Sequence, residues 1–118
     1  MNAIDTVRAY LDVATPGPGL DPDKVRPLLA DDYSVEDTLM GAASADEFVE
    51  KLRQAAAGGG GSAEVEAVVG DDEVVAALTR FEMGPTHVMF TQWFWVQDGK
   101  LKKSRVIYDP RPFLAMQG

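Results

Sequence analysis

The sequence predicts an α+β fold in which helices and strands occupy separate parts of the chain. Apolar residues recur at helical spacing in the first half, whereas from Ala63 onward they alternate with polar residues at a period of two. Short turn signals divide the alternating part into four segments, as in an antiparallel meander. The length of 118 residues suits a single domain over residues 1–118. Together these observations predict N-terminal helices packed on an antiparallel sheet.

Two helices are predicted before the first strand. Apolar residues three and four apart predict a helix over residues 5–14, and the Pro- and Gly-rich segment 15–19 ends it. A second, shorter helix is predicted over residues 22–29. Asp21 is its expected N-cap, and Pro22 suits the first turn, where its missing N–H costs no hydrogen bond.

A strand over residues 33–39 and a third helix complete the first half. Ser44 stands three residues before Glu47, which is the spacing of a capping box, and an apolar face follows at helical spacing. The Gly-rich run 58–62 ends this helix and has the composition of a flexible connection.

The second half of the chain is predicted to form four strands. They cover residues 64–69, 73–83, 87–97 and 100–108. The connecting turns are 70–72, 84–86 and 98–99. The last of these is Asp98-Gly99, a dipeptide typical of a tight hairpin.

The composition disfavours several functional classes. The net charge of −8 argues against nucleic acid as a partner, because an acidic domain repels phosphates. The chain has no cysteine, which fits a reducing cytoplasm, and it has neither a secretion signal nor an apolar run long enough for a membrane span. The single histidine, His87, lies beside a turn, so we expect no metal site and no cofactor.

The first predicted strand carries a carboxylate on its apolar side. Val35, Asp37 and Leu39 share one face, because side chains alternate along a strand. A carboxylate among apolar groups is costly to ionise unless it is hydrogen-bonded, and such a group is suited to act as a general base. The alternative interpretation is that Asp37 ends the strand and caps the following turn.

The strand over residues 87–97 carries a second candidate. Gln92 stands in the middle of an apolar face, where its amide requires hydrogen-bond partners, and a ligand oxygen could be one. A satisfied core glutamine is the alternative. The opposite face carries Trp93 and Trp95, which predicts that this face is also covered, most simply by a second copy of the chain.

Two further side chains could contribute to a site. Tyr10 lies at the edge of the apolar stripe of the first helix and could donate a hydrogen bond to a developing oxyanion, or it could simply pack in the core. Asp109 precedes Pro110, which is typical of a turn, and a second carboxylate at a pocket rim is the other interpretation.

The segments 7–11 and 29–37, followed by the meander, resemble the NTF2-like superfamily. The chain is most similar to its ketosteroid isomerase and SnoaL-like polyketide cyclase groups. The resemblance implies a cone-shaped, cystatin-like fold with a curved sheet. In ketosteroid isomerases the Asp of a Val-Glu-Asp segment is the general base and a helix tyrosine donates to the oxyanion, which implies these roles for Asp37 and Tyr10.

The resemblance also implies a set of pocket residues. Gln92 takes the position of the family's second oxyanion donor, which is a carboxylic acid. The Gln92 amide can donate a hydrogen bond without having to be protonated first. The implied substrate-binding residues are Thr79, Phe81, Phe94, Val106 and Tyr108. SnoaL-like cyclases place their acid elsewhere in the sheet, which keeps Asp109 as a reserve acid. Relatives of limonene epoxide hydrolase require an Asp-Arg-Asp set, but the arginines available, Arg80 and Arg105, are predicted to lie on the outer face.

The functional expectation is cofactor-independent proton transfer, an isomerisation or cyclisation of a hydrophobic carbonyl compound. A non-catalytic binding module for a small apolar ligand is the alternative. A third possibility is a dimeric interaction module whose pocket is incidental.

Overall fold

The part of the chain that the structure describes forms four helices and one six-stranded sheet. The computed structural model describes residues 2–58 and 61–117. In chain order the elements are α1 (Ala3–Ala14), α2 (Pro22–Val25), a 3₁₀ turn (Arg26–Leu28), β1 (Leu29–Asp37), β2 (Gly41–Ser44), α3 (Ala45–Gly58), β3 (Ser62–Gly70), β4 (Val74–Met83), β5 (Thr86–Gln97), β6 (Lys100–Ile107) and α4 (Arg111–Gln117). The sheet order is β2-β1-β6-β5-β4-β3. The predicted α+β class is confirmed.

The sheet is mixed, because its first long strand runs parallel to its last. Strands β3 to β6 form the predicted antiparallel meander, and β1 then pairs with β6 in parallel. The tight turn between β5 and β6 has Asp98 at a φ of 54° and Gly99 at 75°, as the Asp-Gly signal predicts. The short strand β2, which forms a hairpin with β1, was not predicted. Its four residues include one Gly and two Ala, a composition with little strand preference.

The helices differ from the predictions at their ends. Helix α1 begins two residues early, because Asn2 caps it by accepting the Asp5 N–H at 2.8 Å. The single helix predicted over residues 22–29 was wrong in length. Its α-helical part ends at Val25, because Pro27 has no N–H to continue the helical pattern, and β1 already begins at Leu29.

The two helix caps predicted from sequence have different outcomes. Asp21 occupies the N-cap position of α2, but its side chain makes no capping hydrogen bond, and its backbone carbonyl accepts the Lys24 N–H instead. The capping box of α3 is confirmed. Glu47 accepts the Ser44 N–H at 3.0 Å, and Ser44 Oγ accepts the Glu47 N–H at 3.3 Å. This helix extends to Gly58, while Gly59 and Gly60 of the Gly-rich run lie outside the described residues.

The core lies between the helices and the inner face of the sheet. Its most completely buried large side chains come from β1, β5 and β6 and include Tyr33, Phe94 and Leu101. Helix α1 contributes Val7 and Leu11 to the same cluster. The helices therefore cover one face of the sheet, and none of the residues that the structure describes covers the second face.

Candidate functional site

A cavity of about 420 Å³ lies between the inner face of the sheet and helices α1 and α3. Most of its walls are apolar. Among the described residues that line it, Asp37 is the one acid and Lys51 the one base. The remaining polar side chains in the wall are those of Tyr10, Thr15, Thr79, Gln92 and Tyr108. Small-molecule sites usually have this composition, an apolar cavity with a few polar groups in its wall.

Asp37 is the last residue of β1, and its carboxylate is half-buried in the cavity wall. Its Oδ1 accepts the N–H groups of Leu39 at 3.0 Å and Met40 at 3.1 Å, so Asp37 does cap the turn after the strand. The same oxygen accepts the Tyr108 hydroxyl at 2.5 Å. Within the described residues, Oδ2 accepts no hydrogen bond. The turn-capping and cavity-lining interpretations of Asp37 are therefore compatible.

Tyr108 lies immediately after β6 and packs within a group of aromatic side chains. Its ring stacks on Phe90 with centroids 4.3 Å apart and meets the edge of Phe113 at 5.4 Å. Burial, followed by the hydrogen bond to the Asp37 carboxylate, raises the pKa of the Tyr108 phenol above its usual value near 10. The phenol is thus a hydrogen-bond donor throughout the neutral pH range.

Gln92 and Thr79 form a polar pair on the inner face of the sheet. Gln92 lies on β5, and its Nε2 donates to Thr79 Oγ1 on β4 at 3.1 Å. Thr79 is almost fully buried, and both residues line the cavity. An amide has two N–H donors, and Thr79 uses one of them. The second is therefore available to a ligand oxygen.

Tyr10 reaches the cavity from helix α1. Its ring packs edge-on against Phe94 with centroids 5.3 Å apart, and only 4% of the residue is exposed. Burial, with a smaller contribution from the neighbouring Tyr33, raises the pKa of Tyr10 well above its usual value. Its hydroxyl makes no hydrogen bond to any residue that the structure describes, although it is well suited to donate one.

The structure brings most of the predicted site residues to this cavity. Those that line it are Asp37, Tyr10, Gln92, Thr79, Phe81, Val106 and Tyr108. Phe94 does not line it. Phe94 lies on the same inner face of the sheet but further along β5, where α1 covers the sheet. It is completely buried in the core.

Asp109 also lies outside the cavity lining. The residue is exposed and binds the Arg111 guanidinium through both of its oxygens, at distances between 2.7 and 3.0 Å. It also accepts the Arg111 N–H, so its role is that of a turn residue. Arg80 and Arg105 are likewise absent from the lining, and Arg105 pairs with Glu36 on the outer face.

Several cavity residues were not identified from the sequence. Phe113 belongs to α4, and its ring centroid lies 6.1 Å from that of Phe81 and 6.0 Å from that of Phe90. Helix α4 was not predicted, although a proline in the first turn, Pro112, followed by apolar residues is a usable helix signal. Lys51 and Leu52 line the cavity from α3, the latter as part of its apolar face.

The described residues contain neither a metal-binding cluster nor a membrane-spanning helix. Among residues 2–58 and 61–117, His, Asp and Glu side chains form no group of three that could hold a metal ion. None of the described helices has the length and apolar character needed to cross a lipid bilayer.

The fold and the cavity define a small α+β protein of the NTF2-like type, with helices closing one face of a curved sheet over a pocket. Residues 7–104 match the SnoaL-like domain, and this chain belongs to that family. No curated protein sequence matches the chain significantly.

Solved structures share this fold at low sequence identity. A protein from Kribbella flavida DSM 17836 is 24% identical, with a TM-score of 0.84 over 98% of this chain and 93% of that one. A putative ketosteroid isomerase from the same organism is 16% identical, with a TM-score of 0.77 over 89% and 76%. An LEH-like epoxide hydrolase of M. tuberculosis is 24% identical, with a TM-score of 0.70 over 96% and 86%. At these identities the likeness establishes the fold.

Proposed function

We propose that this protein is an enzyme that moves a proton on a hydrophobic carbonyl compound, isomerising or cyclising it without a cofactor. Asp37 is the general base, and Tyr10 and Gln92 stabilise the oxyanion. The observation that carries the proposal is that these three polar groups line one mostly apolar cavity. The match to the SnoaL-like family and the similarity in fold to a putative ketosteroid isomerase support it.

The proposed reaction begins with removal of a proton from the carbon next to the substrate carbonyl. The C–H bond breaks, its proton joins the Asp37 carboxylate, and the electron pair moves onto the carbonyl oxygen as an enolate. A positioned base of this kind contributes roughly 10²–10⁴-fold. The apolar walls exclude water, which strengthens the hydrogen bonds that the enolate oxygen receives.

Two donors in the cavity suit the enolate oxygen. The Tyr10 phenol keeps its proton because burial raises its pKa, so it donates a neutral hydrogen bond. Gln92 donates the N–H that Thr79 leaves free. Neither donor depends on a second carboxylic acid, so the departure from the ketosteroid isomerase pattern at Gln92 is compatible with the reaction.

The test uses a β,γ-unsaturated cyclic ketone, whose conjugation is followed by ultraviolet absorbance. Asp37→Asn should slow conjugation by roughly 10²–10⁴-fold, the contribution of a placed base. Asp109→Asn is the matched control, because it removes an exposed acid outside the cavity, and it should leave the rate unchanged. Equal rates for the wild type and Asp37→Asn would overturn the assignment.

The alternative is a binding module for a small apolar ligand. The mostly apolar walls of the cavity favour it, since they suit ligand storage as well as catalysis. It predicts that apolar ligands raise the melting temperature equally in the wild type and in Asp37→Asn, with no turnover in either.

We further propose that the protein is a cytoplasmic homodimer that pairs through the outer face of its sheet. The absence of cysteine suits a reducing compartment. The outer face carries Trp93 and Trp95, and five large apolar side chains on it are more than a third exposed: Val69, Leu78, Met89, Trp93 and Ile107. Exposed large apolar side chains grouped on one face are typical of a protein–protein interface.

A further inference from the structure

Tyr108 and Asp37 meet because of the parallel pairing of the first and last long strands. Asp37 ends β1 and lies opposite Val106 in the register of β6. Tyr108 follows two residues later, and its hydroxyl donates to Asp37 Oδ1 at 2.5 Å. Hydrogen bonds of this length are typical of a hydroxyl donating to an ionised carboxylate.

The two oxygens of the Asp37 carboxylate have different environments. Oδ1 accepts three hydrogen bonds, from the Leu39 and Met40 N–H groups and from the Tyr108 hydroxyl. Oδ2 accepts none within the described residues. A carboxylate oxygen offers about two lone pairs, so Oδ1 is fully occupied. Oδ2 is the oxygen left to act on a ligand.

We propose that Tyr108 is a positioning residue: its hydroxyl holds Asp37 Oδ1, and Oδ2 is thereby fixed as the oxygen that takes the substrate proton. This assignment rests on the proposed role of Asp37 as the base. In the proton-transfer step the substrate C–H bond breaks and the Oδ2–H bond forms. The electron pair moves onto the carbonyl oxygen, and the Tyr108 proton stays on its own oxygen.

The surroundings of Tyr108 hold its ring in place. Phe90 stacks on one face with an interplanar angle of 12°, and Phe113 contacts it edge-on. Its backbone N–H donates to Thr38 Oγ1 at 3.3 Å, and Thr38 in turn donates through Oγ1 to the Val106 carbonyl at 3.1 Å. A ring restrained on several sides can orient a carboxylate at little further entropic cost.

The first test is independent of any reaction. A proton held in a short hydrogen bond gives a proton NMR resonance well downfield of the backbone amides. We expect such a resonance in the wild type and in Tyr33→Phe, and its loss in both Tyr108→Phe and Asp37→Asn. Tyr33→Phe is the matched control, because it removes a buried phenol that does not line the cavity and whose oxygen has no hydrogen-bond partner among the described residues.

The second test measures conjugation of the β,γ-unsaturated ketone as a function of ketone concentration. Tyr108→Phe keeps the stacked ring but removes the donor, so kcat should fall roughly tenfold, the loss of one hydrogen bond to a charged group. KM should stay near its wild-type value, because the lost hydroxyl acts on the base. A purely structural role, acting through the shape of the cavity, would raise KM as well.

The outcomes separate the two proposals. If Asp37→Asn loses activity while Tyr108→Phe keeps the wild-type kcat, the positioning role of Tyr108 is overturned and the base assignment stands. If Asp37→Asn retains full activity, the proposed function fails first. A downfield resonance that persists in Tyr108→Phe overturns the hydrogen-bonded pair itself.

Discussion

The two faces of the sheet are built from the same strands and both carry large apolar side chains, but the large apolar cavity lies on the inner one. Strand β5 shows the contrast, since Gln92 and Phe94 point inward while Met89 and Trp93 point outward. Helices α1 and α3 cover the inner face. Within the chain, the outer face leaves 42% of Trp93 exposed.

Side-chain size explains why the covered face is not filled. Five small residues form part of the cavity wall: Ala14, Gly41, Ala43, Ala55 and Ala63. Further along the same face, large residues such as Tyr33 and Phe94 fill the space under the helices. An apolar surface thus becomes a site where small side chains leave volume and a few polar groups remain in the wall.

The largest expected effect compares two neighbours on β5. Phe94→Ala removes a completely buried ring and should cost about 3–5 kcal/mol of unfolding free energy, through lost burial and a new void. Trp93→Ala, measured at concentrations where the protein is monomeric, should cost under about 1 kcal/mol because its side chain is substantially exposed. Urea unfolding of both variants gives these values. Similar losses of unfolding free energy in the two variants would contradict the placement of Phe94 on the inner face and Trp93 on the outer face.

The next effect concerns association through the outer face. Trp93→Glu places a charge in the middle of the proposed homodimer interface and should weaken self-association by about 2 kcal/mol or more, as for a central interface residue. Sedimentation velocity over a range of concentrations measures it. Asp109→Asn, outside that face, is the control. A wild type that stays monomeric at high concentration would remove the dimer proposal.

A third prediction uses the distribution of aromatic residues. All three tyrosines of the chain lie on the inner side, while both tryptophans lie on the outer face. Tyrosine absorbance therefore reports the cavity side, and tryptophan emission reports the outer face. Dimer dissociation should change the tryptophan emission and leave the tyrosine signal largely constant.

The buried tyrosines also set the alkaline limit of stability. Burial raises the pKa of Tyr10 and of Tyr33 above the usual value of 10.0. The contribution of these two phenols to the free energy of unfolding is therefore complete below about pH 10. It is lost as pH rises further, because the phenols ionise in the unfolded chain while the folded protein still keeps them protonated. Each phenol should lower the free energy of unfolding by up to about 1.4 kcal/mol per pH unit in this range. Urea unfolding across this range measures the slope, and Tyr33→Phe should reduce it.

The smallest effect concerns the helix that closes the cavity. Ser44→Ala removes one half of the capping box of α3 and should cost about 1 kcal/mol. Gln54→Ala, at an exposed position of the same helix, should cost less than half of that amount. Thermal unfolding compares the two. An equal loss would mean that the cap contributes little to the closure of the inner face.

Local patterns predicted the elements whose signals are local. The meander strands, the capping box at Ser44 and Glu47 and the Asp98-Gly99 turn were all visible in short windows of sequence. Alternation along one strand was enough to place Gln92 and Trp93 on opposite faces.

Features that depend on distant pairing were not accessible in the same way. Nothing near residues 29–37 signals that β1 joins β6 in parallel, since the partners lie far apart in the sequence. The hydrogen bond between Tyr108 and Asp37 depends on this pairing and was missed as well. The strand face of Phe94 was inferred correctly from its alternation, but alternation cannot tell how far along the strand a cavity extends.

The parallel pairing of β1 with β6 also fixes the order in which the molecule can be assembled. The strands β3 to β5 and the hairpin of β1 with β2 are built from contacts between neighbours in the sequence and can form early. Asp37 and Tyr108 are 71 positions apart and meet only when the last strand has docked. The part of the cavity wall that Asp37 and Tyr108 form is therefore among the last parts to form during synthesis. A folding intermediate that lacks β6 would contain helices and paired strands but no site.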